Sequence, residues 1–436
     1  MTDLVVRGGA LLVDGVERRA DVRVVDGVIA EVGADLGGGT VLDAGGCWVL
    51  PGFVDLHTHL RQPGREEAET VETGARAAAL GGFTAVVAMP NTSPCMDSAG
   101  VVREVLELGR EAACEVLASA AITVDRAGEA LAPMAELAAL GVRIFTDDGT
   151  GVQDDRLMRR ALEYARGLGV TLAQHCEVTS LSEGTCMHEG AWSSRLGLPG
   201  QPAEAEELMV MRDIALARLT GGRIHFQHLS TAGSVAMVRA ARAAGLPVTA
   251  EATTHHLLLT DACVASYDPV FKVHPPLRTD ADVAAVRAGL ADGTIDAVAT
   301  DHAPHTTEDK ERPFDQAPPG MLGLETALAL LLTDVVGEAD PAADGPPPVT
   351  LARTLDALTA RPAAIAGIAD RHGGPVAPGR PANLCVVDPA AVWTVDPLRS
   401  ASRSRNTPYA GRRLTGRVRH TISGGVPVVI DGEARR

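Results

Sequence analysis

Eight short apolar runs recur between Pro51 and about Leu351: "GFVDLHTH", "FTAVVAMP", "EVLASAAI", "GVRIFTDD", "VTLAQHC", "RIHFQHL", "PVTAEAT" and "IDAVATD". Between them lie stretches rich in Ala, Glu, Arg and Leu, such as "EEAETVETGARAAALGG" and "SVAMVRAARAAGL", several ending in Gly. Runs of this length predict strands, and the intervening periodicity predicts helices. Eight such units over about 300 residues are the count of a (β/α)8 barrel, with a doubly wound open sheet as the rival α/β architecture. The aromatic content is only 3%, so the core must be built from Val, Leu, Ile and Ala.

The two ends read differently. Residues 1–50 carry short Val and Leu runs broken by Gly and Asp, and residues 376–436 resume that pattern with "PANLCVVDP" and "VRHTISGGVPVVIDGE". This is strand-and-turn chemistry. The expected organisation is a small β-sandwich built from residues 1–50 and 376–436, flanking an α/β TIM-type barrel over 51–375. The tract "GEADPAADGPPPV" (337–349) reads as a solvated loop insertion.

Charge and composition exclude several function classes. A formal charge of −17 argues against nucleic acid or an anionic membrane as partner. Seven cysteines show no CxxC pair, which predicts neither a disulfide framework nor a four-thiolate zinc site. Neither a signal-like N-terminus nor an apolar run long enough to span a bilayer is visible, so the expectation is a soluble, cytoplasmic protein.

In a barrel the site lies at the C-terminal ends of the strands. There the sequence places His57 and His59, Asp147 and Asp148, His175, His228, and Asp301 followed by His302 and His305. Strand geometry puts His57 and His59 on one face, so their rings can converge. Imidazoles and carboxylates without cysteine suit zinc or a similar divalent cation. Five or six ligands exceed one tetrahedral site and predict two ions about 3.5–4 Å apart.

The ordered set "PGFVDLHTHLRQPG", "GGFTAVVAMPNT", "FTDDGTGVQ", "QHCE", "MHEG", "QHLST", "VTAEATTHHL", "PPLR", "DGTIDAVATDHAPH" and "NTPYAG" resembles the type I dihydroorotases of the amidohydrolase superfamily over nearly the whole chain. The resemblance implies reversible cyclisation of N-carbamoyl-L-aspartate to L-dihydroorotate, a step of pyrimidine biosynthesis. It implies metal ligands His57, His59, Asp148, His175, His228 and Asp301, with Asp301 also moving the catalytic proton. It implies two zinc ions bridged by Asp148 and hydroxide, and substrate contacts from Arg61, Asn91 and His305. Many related cyclic-amide hydrolases bridge their metals with a carboxylated lysine on strand four. Here the only lysines are Lys272 and Lys310, which rules that bridge out; the resemblance instead implies an aspartate of "TDDG", by position Asp148, with Asp147 as the fallback.

Other histidines are assigned elsewhere: His255 and His256 to the scaffold near the site, His225 to the opposite strand face from His228, and His188 and His372 to structural or surface positions. Asp154, Asp155 and Arg156 read as a solvated helix start. Two departures from the family pattern stand out, His274 before "PPLR" where Asn is usual, and Pro319 in place of Phe. The polar, Pro-rich segment 301–320 is the candidate lid. The rival functions are an allantoinase- or hydantoinase-like hydrolase, and a non-catalytic scaffold for aspartate transcarbamoylase. Homodimer formation and association with that transcarbamoylase are left open by the sequence.

Overall fold

The computed structural model describes residues 3–13, 16–337 and 348–435, so most of the tract read as a loop insertion (338–347) lies outside the described residues. The chain begins with β1 (Asp3–Val13), β2 (Val16–Val25), β3 (Val28–Gly33), β4 (Thr40–Asp43) and β5 (Trp48–Pro51). It continues through β6 (Phe53–Thr58), β7 (Phe83–Ala88), β8 (Glu115–Ala118), β9 (Ile144–Thr146) and β10 (Thr171–Gln174). The two-residue β11 (Met187–His188) and β12 (Gly200–Gln201) precede β13 (Arg223–Phe226), β14 (Val248–Thr253) and β15 (Ala297–Ala299). The chain closes with β16 (Leu384–Thr394), β17 (Arg413–Ser423), β18 (Val426–Ile430) and β19 (Glu433–Ala434).

The two ends share one nine-stranded sheet in the order β19-β18-β17-β16-β5-β1-β2-β3, with β4 beside β1. Antiparallel pairing of β5 with β16, in the register Val49–Val386, joins strands that are hundreds of residues apart in the chain. Leu4, Val6, Val22, Ile29, Leu42, Leu384, Val386 and Ile422 form its buried cluster. The hairpin β2–β3 turns on Asp26-Gly27 and β18–β19 on Asp431-Gly432, all four at positive φ. The Asp-Gly dipeptide is the usual sequence for such turns, because its backbone tolerates left-handed geometry.

All eight runs of the middle segment form parallel strands. They pair as β6-β7-β8 and as β9-β10-β13-β14-β15. Isolated parallel bridges, Ala120–Phe145 and Thr58–His302, link the two sets at both edges. Every residue of β6 and β7 is buried, as expected for strands covered on both faces. Helices fill the connections with regular punctuation. Asp154 caps the helix Asp155–Leu168 by accepting from Leu157 N, and Gly169 ends it at φ 70°. Thr70 and Thr279 start Val71–Leu80 and Asp280–Ala291 with reciprocal capping boxes. No helix among the described residues is long and apolar enough to cross a membrane.

A candidate metal centre at the strand ends

The site begins with how the strand ends are tied. Asp55, on β6, is fully buried and accepts from Thr58 Oγ1 (2.5 Å), Thr300 N (2.9 Å) and Thr300 Oγ1 (2.6 Å). It therefore locks β6 against the residue preceding Asp301. Arg278 of "PPLR", also buried, donates to Ser230 Oγ of "QHLST" (3.1 Å) and to His188 Nδ1 of "MHEG" (3.1 Å), tying three of the motifs together. Asn406 of "NTPYAG" donates to Ala303 O and Gly320 O and accepts from His305 N, fixing the loop after β15.

Within this frame the six residues assigned as ligands converge. His57 Nε2 lies 3.2 Å from Asp148 Oδ1 and 3.5 Å from Asp301 Oδ1. His59 Nε2 lies 3.0 Å from Asp301 Oδ1 and 3.7 Å from Asp148 Oδ2. His175 Nδ1 and His228 Nε2 are 3.0 Å apart, at 3.7 and 3.8 Å from Asp148 Oδ1. Asp148 thus faces all four imidazoles. Asp147 turns away and accepts from Ile122 N (2.8 Å), Thr123 N (3.0 Å) and the Thr123 hydroxyl, holding the loop after β8. Gly151 lets this turn pass the site: a Cβ there would sit 2.5 Å from His175 O.

The backbone is bent to bring these groups together. Arg61, His228 and Asp301 all have positive φ (60°, 31° and 44°), a region that costs non-glycine residues about 1–3 kcal/mol each. His228 lies beyond the last residue of β13, so strand alternation does not relate its direction to that of His225. His225 is buried and faces Glu251 Oε2 through Nε2 at 3.0 Å, while Glu251 Oε1 lies 3.0 Å from His57 Nδ1. His225 therefore reaches the site through a carboxylate instead of pointing away from it.

Electrostatics follow from burial without water. Burial works against a charged His57, yet Asp148 and Asp301 outweigh it and hold the imidazole well above the ordinary value. Burial likewise opposes ionisation of Asp148 and Asp301, but the surrounding imidazoles pull both carboxyls below the usual range. His175 rises to about 9 against its burial, through Asp148 and Glu177. Glu251 is drawn down to about 2 against its burial, by His225 and His57.

Such a concentration of buried ionisable groups is costly unless cations join it. Two ligand triads, His57/His59/Asp301 and His57/Asp148/His228, each bring their donor atoms within 4.8 Å of one another. His57 Nε2 is buried with no hydrogen-bond partner, an orphan at the point where the triads overlap. The donor set therefore fits divalent metal.

The residues to which the sequence reading assigns substrate contacts lie at the same rim. Arg61 Nε donates to Pro304 O (3.2 Å), and its Nη2 lies 3.4 Å from His305 Nε2. His305 Nε2–H donates to Pro319 O (2.8 Å), leaving His305 Nδ1 buried and unpartnered. The Asn91 amide is held between the two ligand sets, accepting from His59 Nδ1–H (2.9 Å) and donating to Asp148 Oδ2 (3.2 Å). His274, the departure from Asn, contacts Glu177, and its ring stands 5.0 Å from that of His175. His255 and His256 are buried beside the site; His256 accepts from Thr253 Oγ1 and donates to Pro275 O. His188 and His372 are both buried, His372 bonded to Thr84 and Glu115.

Both lysines serve the segment 301–320. Lys272 Nζ donates to Asp315 O, and Lys310 Nζ to Pro269 O and Pro318 O; Arg65 adds a 2.8 Å pair with Asp309. Neither lysine is available to the ligand cluster. The sequence assigns no role to Glu251 or Glu177 and turns His225 away from the site, although "VTAEATTHHL", "QHCE" and "RIHFQHL" contain them. Their spacing carries no ligand signature, and only the fold aims them at the ligand histidines.

Comparison with known proteins bears on the family. Residues 46–234 match the family model described as Dihydro-orotase-like. A curated dihydroorotase of Streptomyces coelicolor is 50% identical over 99% of this chain and all of its own length. That of Mycobacterium tuberculosis is 48% identical over 97% of each chain. Among solved structures, L-hydantoinase from Arthrobacter aurescens superposes with a TM-score of 0.87 at 24% identity, covering 100% of this chain and 98% of that one. Dihydropyrimidinase from Brevibacillus agri gives 0.84 at 23% identity, covering 100% and 96%. At that identity the structural likeness concerns the fold alone. Near 50% identity over the full length, together with the strand-end cluster, places the chain in the dihydroorotase family.

Proposed function

We propose that the protein interconverts N-carbamoyl-L-aspartate and L-dihydroorotate, the cyclisation step of pyrimidine synthesis, at a two-zinc centre held by His57, His59, Asp148, His175, His228 and Asp301. The observation that carries this reading is the convergence of four imidazoles on Asp148, with Asp301 facing two of them, in a chain of that family. When bound, the cations would lower the pKa of a water towards neutrality and polarise the ring carbonyl.

The protein's own groups do the rest. In the hydrolytic direction Asp301 takes the proton of the attacking water and delivers it to the ring nitrogen as the carbon–nitrogen bond breaks. Its carboxyl stays ionised at neutral pH because His57 and His59 face it, so it can accept that proton. Arg61 offers a planar fork to the substrate carboxylate, with His305 beside it as a second polar contact. Asn91 keeps His59 and Asp148 in fixed relation and presents its amide at the same rim.

The eight parallel strands are read as a closed (β/α)8 barrel over 51–375, an inference supported by the two bridges that link the strand sets at both edges. The nine-stranded sheet of residues 1–50 and 376–436 is read as the companion β-sandwich domain. A hydantoinase-like activity is disfavoured, since both lysines are committed to the segment 301–320.

The test is ring opening of dihydroorotate, followed by loss of absorbance, with metal content measured on the same preparation. Dihydroorotate turnover well above that of dihydrouracil and allantoin, with about two zinc per chain, is the expected result. Preference for either of the other two rings, or metal-free protein with full turnover, overturns the reading.

A further inference from the structure

Behind the proposed ligand His57, the interior of the parallel-strand unit contains a line of polar groups that the proposed reaction does not use. It runs from His57 on β6 to Glu251 on β14, then to His225 on β13 and on to Thr249 at the start of β14. The contacts are His57 Nδ1 to Glu251 Oε1 at 3.0 Å, Glu251 Oε2 to His225 Nε2 at 3.0 Å, and His225 Nδ1 to Thr249 Oγ1 at 2.9 Å. His57, Glu251 and His225 are each no more than 1% exposed. Glu251 and Thr249 lie two residues apart on β14 and so share a face, while His225 pairs in register with Thr249. Glu251 reaches across to β6, with which β14 shares no ladder.

Hydrogen-bond chemistry fixes the protons along this line. An ionised carboxylate only accepts, so at 3.0 Å His57 must carry its proton on Nδ1. In the neutral ring, the form that ligates a cation, Nε2 then keeps its lone pair, and it is the buried atom facing Asp148 and Asp301. The same argument puts a proton on His225 Nε2, leaving Nδ1 to accept from the Thr249 hydroxyl. Gln227 Nε2 is the other polar neighbour of His57 Nδ1, at 3.3 Å; its Oε1 is held by Thr146 Oγ1 at 2.8 Å.

We infer that Glu251, anchored by His225, is a positioning residue for the metal centre: it sets the His57 tautomer and places a buried negative charge behind that ligand. The inference rests on the metal-dependent reading above and deepens it. Were Glu251 only a packing group, an uncharged isostere would serve as well. Glutamine at 251 keeps the shape and one acceptor for His57, yet removes the charge. It also presents an N–H to His225, whose ring can answer by shifting its proton to Nδ1 and donating to Thr249.

The experiment measures zinc affinity by chelator competition, and the visible spectrum of the cobalt-substituted protein, for the unaltered chain, Glu251→Gln and His225→Gln. Glu251→Gln is expected to weaken one metal site about 10- to 100-fold, the usual cost of losing an outer partner of a metal-bound histidine. The cobalt bands should change while the melting temperature of the metal-free protein does not fall. His225→Gln should give a smaller loss in the same direction, and the double variant should be no weaker than Glu251→Gln alone. If Glu251→Gln does not fold, the His225→Gln affinity and spectrum decide the matter. Wild-type affinity and spectrum in the variants that fold overturn the inference. An unaltered chain that binds no metal, or leaves dihydroorotate closed, overturns instead the proposed function.

Discussion

At the end of β6 and beyond β14 and β15, buried imidazole nitrogens are left without partners; on the strands of the chain-end sheet, the buried Asp21 and His420 have theirs. Asp21, at 6% exposure, accepts from Gly8 N (2.7 Å) and Leu36 N (3.0 Å). His420 donates to Asp43 O (2.9 Å) and accepts from Asp431 N (3.1 Å). His57 Nε2, His255 Nε2 and His305 Nδ1 have no such partner. Left-handed backbone follows the same division. The sheet spends it on Asp-Gly hairpin turns, where it costs little, and the strand ends place it on Arg61, His228 and Asp301. Buried polar atoms are nearly always satisfied, so unsatisfied ones close to left-handed residues mark the region selected for something other than stability.

The sharpest way to break this contrast is to alter the strand ends without touching the fold. Asp301→Asn removes the proposed proton carrier and one proposed ligand, and turnover of dihydroorotate should fall at least about 10²- to 10⁴-fold while the thermal transition remains cooperative. Near-normal turnover would place the proton transfer elsewhere.

The converse alteration falls in the sheet. Leu384→Ala, in its buried cluster, should cost about 2–5 kcal/mol of stability in denaturant unfolding. The kcat per folded molecule should stay unchanged. A large loss of kcat in folded protein would mean that the two regions are not separable.

Arg61→Met probes the rim. Loss of a charge-assisted contact worth about 1.5–3 kcal/mol should raise the KM for dihydroorotate by roughly 10- to 150-fold. Any residual activity on dihydrouracil, which lacks the carboxylate, should be spared. Equal losses on both rings would assign Arg61 to scaffold.

The smallest effect is expected at Glu115 on β8, which pairs with Arg371 (2.7 Å) and His372 (2.7 Å). Burial opposes its charge, but His372 and Arg371 bring its pKa down to about 2 from 4.5. A folded pKa below the unfolded one stabilises the protein above about pH 4.5, and that contribution is lost as pH falls towards about 2. Because the side chain is about a third exposed, solvent limits the effect to under about 1 kcal/mol. Thermal melts between pH 6 and 3 should be shallower for Glu115→Gln than for the unaltered chain; parallel curves would show that the pair contributes nothing.

Much of this was legible in the chain itself. The eight apolar runs gave all eight parallel strands, because a strand buried on both faces needs a continuous aliphatic stretch. Asp154 was readable as a helix start, because an N-cap is a local event. The Asp147/Asp148 choice was legible only as an alternation, which says that the two diverge and not which one turns inward. His225 shows the limit: counting by twos from His228 carried the period past the end of β13, where the backbone no longer obeys it.

What the amino-acid order determined alone was therefore everything set by neighbours along the chain: strand and helix periodicity, caps, Asp-Gly turns, and the scarcity of lysine that rules out a lysine bridge between metals. What only the tertiary structure decided was which of these side chains meet. Asp148 facing four imidazoles, Asn91 spanning His59 and Asp148, and Glu251 reaching from β14 to His57 all join residues from strands far apart in sequence. Such contacts depend on strand order, on register and on a few left-handed residues at strand ends, and no local pattern encodes those, because their energy is gained only once the whole core has assembled.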